Sequence, residues 1–309
     1  MSNLLNVSSS PHARNQVTTR SIMYDVAIAL VPASIYGIWQ FGIHAALVLF
    51  VSILSCVLSE YIFEKGMRKP ITISDGSALV TGLLLGLNMP PSIPLWIPVL
   101  GGVFAIIVVK ELYGGLGQNF MNPALAARCF LLISFAGKMS TFTYHDAVAG
   151  ATPLAQVKAG ETVNLTSMFL GMKPGVIGEV SVLALLIGAV YMLIRGVISI
   201  RIPAAYVITT ALFVFIFGSH DLTYVLAHIL GGGLILGAFY MATDYATTPI
   251  TPKGQIIFGI LLGVLTGLFR LFGGTAEGVS YAIIIGNILV PLIEKISLPT
   301  AFGKEGKAK

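Results

Sequence analysis

The chain has 309 residues, 56% of them hydrophobic and only 10% charged, with a formal net charge of +5. An average soluble domain carries about 25% charged residues, so a water-soluble globule, a disordered chain and a disulfide-rich secreted module are all disfavoured, which leaves a polytopic membrane protein. The positive balance does not call for a nucleic-acid partner, because basic residues of membrane proteins collect in cytoplasmic loops.

Residues 1–20 are polar, contain Arg14 and Arg20, and lack the apolar core and cleavage site of a secretory signal. They are expected to form a cytoplasmic N-terminal segment. Ten apolar windows follow, at 22–39, 42–62, 75–89, 93–110, 121–136, 177–195, 200–217, 222–241, 254–272 and 279–297. A full crossing needs about 20 apolar residues. The windows 75–89 and 121–136 are short and are bounded by Pro, Asn or Gly, as in Asn88-Met89-Pro90-Pro91. They are expected to be half-helices or re-entrant segments, sheltered by protein or a cavity. Cys56 and Cys129 lie in apolar stretches without metal-ligand spacing.

With ten crossings and a cytoplasmic N-terminus, 13 of the 18 basic residues fall inside and Lys138, Lys158, Lys173 and Arg270 fall outside. That bias predicts cytoplasmic termini and an outer loop at 137–176. Arg128 is left within a span. The expected layout is a first membrane half at 21–136, the extracytoplasmic loop 137–176, a second half at 177–297 and a cytoplasmic tail at 298–309. Five spans on each side of the loop imply two inverted halves, an arrangement that builds sites near the midplane. Lys110-Glu111-Leu112-Tyr113-Gly114-Gly115 is echoed by Phe269-Arg270-Leu271-Phe272-Gly273-Gly274. Each follows a segment led by an aspartate, Asp75 or Asp244. These two carboxylates are read as equivalent positions on a cation path, since hard cations prefer carboxylate oxygens. No metal site is otherwise expected, and the five histidines show no i, i+4 pair.

The long loop carries Asp146-Ala147-Val148-Ala149-Gly150-Ala151-Thr152-Pro153-Leu154. Composition alone reads it as a turn with a run of small residues. A second reading is that Gly150 and Ala151 leave room for a bulky group, Thr152 offers an oxygen for a phosphoester and Pro153 fixes the backbone beyond it. Asn119 and Asn122 are either caps of a Pro-led helix or hydrogen-bonding amides for a heterocycle. Arg128 is either paired with a carboxylate or attracts a cofactor's negative charge, because a cation at bilayer depth is costly and functional by default.

Here the chain resembles the family that holds the D subunits of the Rnf electron-transport complex and the B subunits of the sodium-pumping NADH:quinone oxidoreductase. That family's flavin attachment motif reads Asp-x-x-Ser-Gly-Ala-Thr. Asp146, Gly150, Ala151 and Thr152 match it, with Ala149 where serine is usual. The stretches from Lys110 to Ala124, from Met241 to Thr251 and from Gly171 to Glu179 are similar to further family signatures, in order.

The resemblance implies an all-α polytopic membrane protein with about ten transmembrane helices in two inverted five-helix halves. It implies FMN esterified through its phosphate to Thr152, and a second, noncovalent flavin (riboflavin) near Asn119 and Asn122, whose negative charge Arg128 would attract on the cofactor reading above. The implied setting is the cell membrane, in a ferredoxin:NAD oxidoreductase complex that moves Na+ or H+. Its partners would be a second covalent flavoprotein subunit and iron–sulfur subunits, and the chain alone would be inactive. The alternative function is a passive channel or secondary transporter for a small solute, which the same span pattern suits.

Overall fold

The computed structural model describes residues 17–141, 143–144, 148–149, 152–161, 163–273 and 278–299, with the backbone alone at 143–144 and 148–149. Each of the ten apolar windows folds as helix. In the first half these are α1 (Thr19–Phe41), α2 (Ile43–Gly66), α3 (Ser77–Leu87), α4 (Trp96–Val103) and α5 (Pro123–Ser134). Helix α4 continues through a π-helical turn, Phe104–Lys110, and a 3-10 turn, Glu111–Tyr113. The intervening loop holds α6 (Ala136–Met139), an antiparallel two-residue ladder of β1 (Thr143–Tyr144) with β2 (Val148–Ala149), α7 (Pro153–Lys158) and α8 (Leu165–Leu170). The second half comprises α9 (Val182–Ile194), α10 (Arg201–Phe217), α11 (Leu222–Leu230), α12 (Leu234–Leu236) with a π-helical turn at Gly237–Met241, α13 (Pro252–Phe272) and α14 (Val279–Ser297).

Large apolar side chains point outward as well as inward: Ile28, Ile35 and Trp39 on α1, and Ile288, Leu292 and Ile296 on α14, are exposed. A helix that is apolar all round belongs in lipid or in a large core. Among the described residues, five helices are long and apolar enough to cross a membrane, six if the bent pair α11–α12 counts as one span, and α3, α5, α9 and α10 are shorter apolar helices. At 1.5 Å per residue, α3 with 11 residues and α5 with 12 cannot span a hydrocarbon core of about 30 Å. The expected short segments are therefore half-length helices.

The pairing of helices repeats between the halves. Helix α2 packs on α3 and α4 as α10 packs on α11 and α13, and α4 meets α5 as α13 meets α14. Helices α1 and α9 pair across the halves, as do α5 and α14. The tightest of these contacts, α10 on α13, follows from a stripe of Gly259, Gly263 and Gly267. A Cβ at Gly259 would lie 2.6 Å from Ala205 Cβ, and one at Gly263 would lie 2.5 Å from Thr209 Cβ. Small residues four apart let two backbones approach in lipid, where dispersion replaces hydrophobic driving force.

Two windows differ from expectation. The sixth begins at Val182, because residues 176–180 run as irregular buried chain beside the end of α3. Ile177 N donates to Met89 O at 3.0 Å and Gly178 N to Leu87 O at 2.7 Å, which satisfies that backbone away from water. The eighth is not one helix: α11 and α12 meet at a 60° bend. Gly232 and Gly233 hold φ values of +62° and +67° there, which side chains disfavour. The end of the bundle that holds the start of α1 is called here the terminal end, and the end where α7 and α8 pack on α11 the loop end.

Candidate functional site

At the terminal end a cleft of about 730 Å³, open mouth included, lies between the halves. Its walls come from α1 (Met23, Val26), α3 (Ser77, Thr81), the last turn of α4 (Lys110), the start of α5 (Asn119, Asn122) and the second half (Tyr240, Asp244). Its few polar groups stand on largely apolar walls, the usual make-up of a small-molecule site. Asn122 caps α5: its Oδ1 accepts from Ala124 N at 3.0 Å and Leu125 N at 3.3 Å, and Pro123 follows at N1. Its Nδ2 donates to Met241 O at 3.4 Å. Asn119 Nδ2 donates to Met121 O at 3.0 Å. Asp244 is half-buried; burial holds its carboxyl above the usual carboxylate range, opposed by hydrogen bonds from Ala246, Thr247 and Asn119.

Behind the cleft wall lies a cluster that the linear reading did not assemble. Lys110 Nζ donates to Ser77 Oγ at 2.7 Å and pairs with Glu60 Oε1 at 2.9 Å, both partners of the pair being buried. Glu60, Glu64 and Glu111 each bring one carboxylate oxygen within 4.8 Å of the others. Thr72 Oγ1 sits 3.1 Å from Glu60 Oε1 and 2.5 Å from Glu64 Oε1. A hydroxyl has a single proton to donate, so it cannot serve both carboxylates at once. Glu60 Oε2 is buried without a hydrogen-bond partner among the described residues. Lys69 approaches Glu111 at 3.7 Å. The group thus holds three carboxylates against two ammoniums.

Arg128 lies deeper on α5, away from the cleft. Its Nη1 donates to Asn88 Oδ1 at 2.7 Å and Ser280 Oγ at 3.1 Å, and stands 3.4 Å from Glu179 Oε1. Asn88 Nδ2 in turn approaches Met241 Sδ at 3.8 Å. Asn287, in the amide orientation its neighbours require, accepts from Asn122 N at 3.1 Å. A continuous run of polar contacts therefore leads from Glu179 through Arg128, Asn88 and Met241 to Asn122 at the cleft.

Glu179 also opens onto the loop end. There Thr152, Pro153, Lys173, Pro174, Gly175, Glu179, Gly231 and Gly232 line a much smaller cleft. Thr152 is the N-cap of α7, its Oγ1 accepting from Ala155 N at 3.4 Å. Leu154 and Val157 of α7 are buried and pack toward α11, so Thr152 is anchored to the bundle. Lys173 Nζ donates to Leu230 O at 2.8 Å. Burial pulls its ammonium down to about 8, with Glu179 opposing the shift and Arg270 adding to it. Arg270 is buried at the end of α13, its guanidinium donating to the carbonyls of His228, Gly231 and Gly232 in the broken helix.

The family model for NQR2, RnfD and RnfE proteins matches residues 6–303. The chain belongs to that family. It is 48% identical to the D subunit of the Na+-translocating ferredoxin:NAD+ oxidoreductase complex of Acetobacterium woodii, with 98% of each chain covered. It is 41% identical to the D subunit of the proton-translocating ferredoxin:NAD+ oxidoreductase complex of Clostridium ljungdahlii, with 97% of each covered. It is 35% identical to the D subunit of an ion-translocating oxidoreductase complex of Escherichia coli, covering 96% of this chain and 98% of the relative.

Within this NQR2, RnfD and RnfE member, the structure brings Asn119, Asn122 and Asp244 into one cleft and puts Arg128 and Thr152 elsewhere. Asp146, Gly150 and Ala151 lie outside the described residues. Asp75 does not line the cleft; its Oδ1 accepts from Ser77 N at 2.7 Å and Ser77 Oγ at 2.6 Å at the start of α3. Nor is Asp244 its counterpart in the second half. By element order that place belongs to Asp221, which likewise accepts from Thr223 N, at 3.1 Å, at the start of α11. Arg128 is not alone among buried cations: Lys110 and Arg270, which stand at or near the ends of two apolar windows and were counted with the inner and outer charges, are 2% and 1% exposed. The four-residue spacing of Glu60 and Glu64 was the available signal for the carboxylate cluster, because it sets both on one helix face.

Proposed function

We propose that this chain is the membrane subunit of a ferredoxin:NAD+ oxidoreductase-type complex that relays electrons between two flavins and couples their passage to Na+ or H+ movement. FMN would be esterified to Thr152 at the outer, loop end, and riboflavin would lie in the terminal-end cleft on the cytoplasmic side of the cell membrane. The observation that carries the reading is the run of contacts from the Thr152 cleft through Glu179, Arg128, Asn88 and Met241 to Asn122. It joins two sites at opposite ends of one protein, as a relay across a membrane requires.

The flavin supplies the electron-carrying chemistry; the chain supplies position and field. Thr152 is held on a short helix packed into the bundle, with Pro153 and Pro174 as walls. Asn122 fixes the start of α5 and so the cleft's edge. Lys110 faces the cleft on one side and Glu60 on the other, which places the carboxylate cluster within electrostatic reach of any charge arriving in the cleft. That cluster, with Glu64 and Glu111, is our choice for the cation-handling site, ahead of Asp75. Ferredoxin and nicotinamide chemistry would belong to partner subunits, including a covalent flavoprotein and iron–sulfur proteins.

The alternative, a solute channel, draws on the broken helix α11–α12, a feature of transporters. Arg270 fills that break and bonds its carbonyls, which leaves the relay as the better account.

Mass spectrometry of the loop peptide from the complex tests the reading. The wild type is expected to carry one FMN mass on Thr152, and Thr152→Ala none. An unmodified wild-type peptide from cells that contain the attaching transferase rejects the relay and returns the channel to first place.

A further inference from the structure

Lys173 is 5% exposed, yet among the described residues its ammonium has one hydrogen-bond acceptor, Leu230 O at 2.8 Å. An ammonium carries three N–H donors and no acceptor. Buried donors are normally matched, so two of these three call for a partner. The carboxylate nearest in charge terms, Glu179, already stands 3.4 Å from Arg128. Lys173 shares its small cleft with Thr152, and the chain beside it is open at Gly175, where an added Cβ would meet nothing within 4 Å. Its far wall, Gly231 and Gly232, carries the Arg270 guanidinium on its carbonyls.

We propose that Lys173 is the anion-binding residue of this cleft, and that its two remaining N–H groups hold the phosphodiester monoanion carried by Thr152. The proposal rests on the reading of Thr152 as the attachment residue. It adds a residue outside the attachment motif and gives the buried lysine a task. A phosphodiester keeps its single negative charge at every working pH, and charge-assisted hydrogen bonds to phosphate are strong. Its arrival would offset the desolvation that now pulls the lysine down to about 8 and return the ammonium toward its ordinary range.

The test begins with wild-type complex purified from cells with and without the flavin transferase, so that the chain is fully flavinylated in one sample and bare in the other. Both are acylated with an amine reagent at pH 8.5, and modification of Lys173 is read by mass spectrometry against exposed Lys158. The expected result is that flavinylation lowers Lys173 acylation by about tenfold, since a bond to a charged partner is worth that much or more. Lys173→Gln and Lys173→Arg are then made in the complex. The ³¹P resonance of the phosphodiester should move in Lys173→Gln and return toward its wild-type position in Lys173→Arg, an effect that mere support of the loop would not produce. Equal acylation of Lys173 in the two wild-type samples, or a ³¹P resonance indifferent to Lys173→Gln, overturns the proposal while leaving Thr152 as the attachment residue. A wild type without flavin on Thr152 overturns both, and is recognised before any variant is made.

Discussion

Arg128 Nη1 lies 3.4 Å from Glu179 Oε1, and the two side chains are 5% and 7% exposed. The pair joins elements far apart in sequence: a half-length helix of the first half and the irregular segment that leads into the second. Glu179 also lines the Thr152 cleft, so one carboxylate belongs to the loop end and to the protein's interior at once.

Removing one member of a buried pair strands the other, a loss of about 3–5 kcal/mol. Arg128→Met is therefore expected to lower the thermal midpoint of the detergent-solubilised complex sharply. Arg128→Met with Glu179→Leu removes both charges and should recover much of that loss. A double variant no more stable than the single one would show that Glu179 does not depend on Arg128.

Lys110 and Glu60 form a second such pair at the cleft wall, at 2.9 Å. Lys110→Met leaves a fully buried carboxylate beside Glu64, and a destabilisation of about 3–5 kcal/mol is expected. Adding Glu60→Gln should restore stability. A double-mutant cycle on chemical denaturation measures the coupling, and a coupling energy near zero would contradict the geometry.

Asp244 gives a pH dependence with a definite sign. Its folded-state carboxyl titrates above the ordinary value of 3.8, chiefly through burial. Between 3.8 and that higher value the folded chain keeps a proton that the unfolded chain has released, so stability falls as pH rises through this window and is flat above it. Asp244→Asn has no such proton. Its stability relative to wild type should therefore rise with pH across the acidic range and level off toward neutrality, as read from denaturation midpoints at several pH values. A constant difference across that range would refute the assignment.

The membrane helices were legible because their windows are apolar and bounded by Pro, Asn and Gly. So was the half-length character of α3 and α5. Asn122 was legible as a cap, and the cap is what the structure has. Other features depend on pairing, which a linear reading does not contain. Lys110 and Arg270 look like flanking charges because each stands at or near the end of an apolar window; only the packing of α4 on α2, and of α13 against the break after α11, reveals them as buried. Asp75 and Asp244 were matched because each leads a segment, but Asp75 precedes the third helix whereas Asp244 follows the eighth window, so by element order Asp75 answers to Asp221. The break in the eighth span had a visible cause in Gly231-Gly232-Gly233, yet glycines are also common where helices only pack closely.

That break does more than bend the chain. Where α11 stops, its last peptide oxygens lose their helical donors and turn toward Lys173 and Arg270. The backbone thus acts as a dry substitute for a hydration shell, letting a chain poor in acidic residues keep two cations in its interior. The loop end is therefore solvated from within, by backbone.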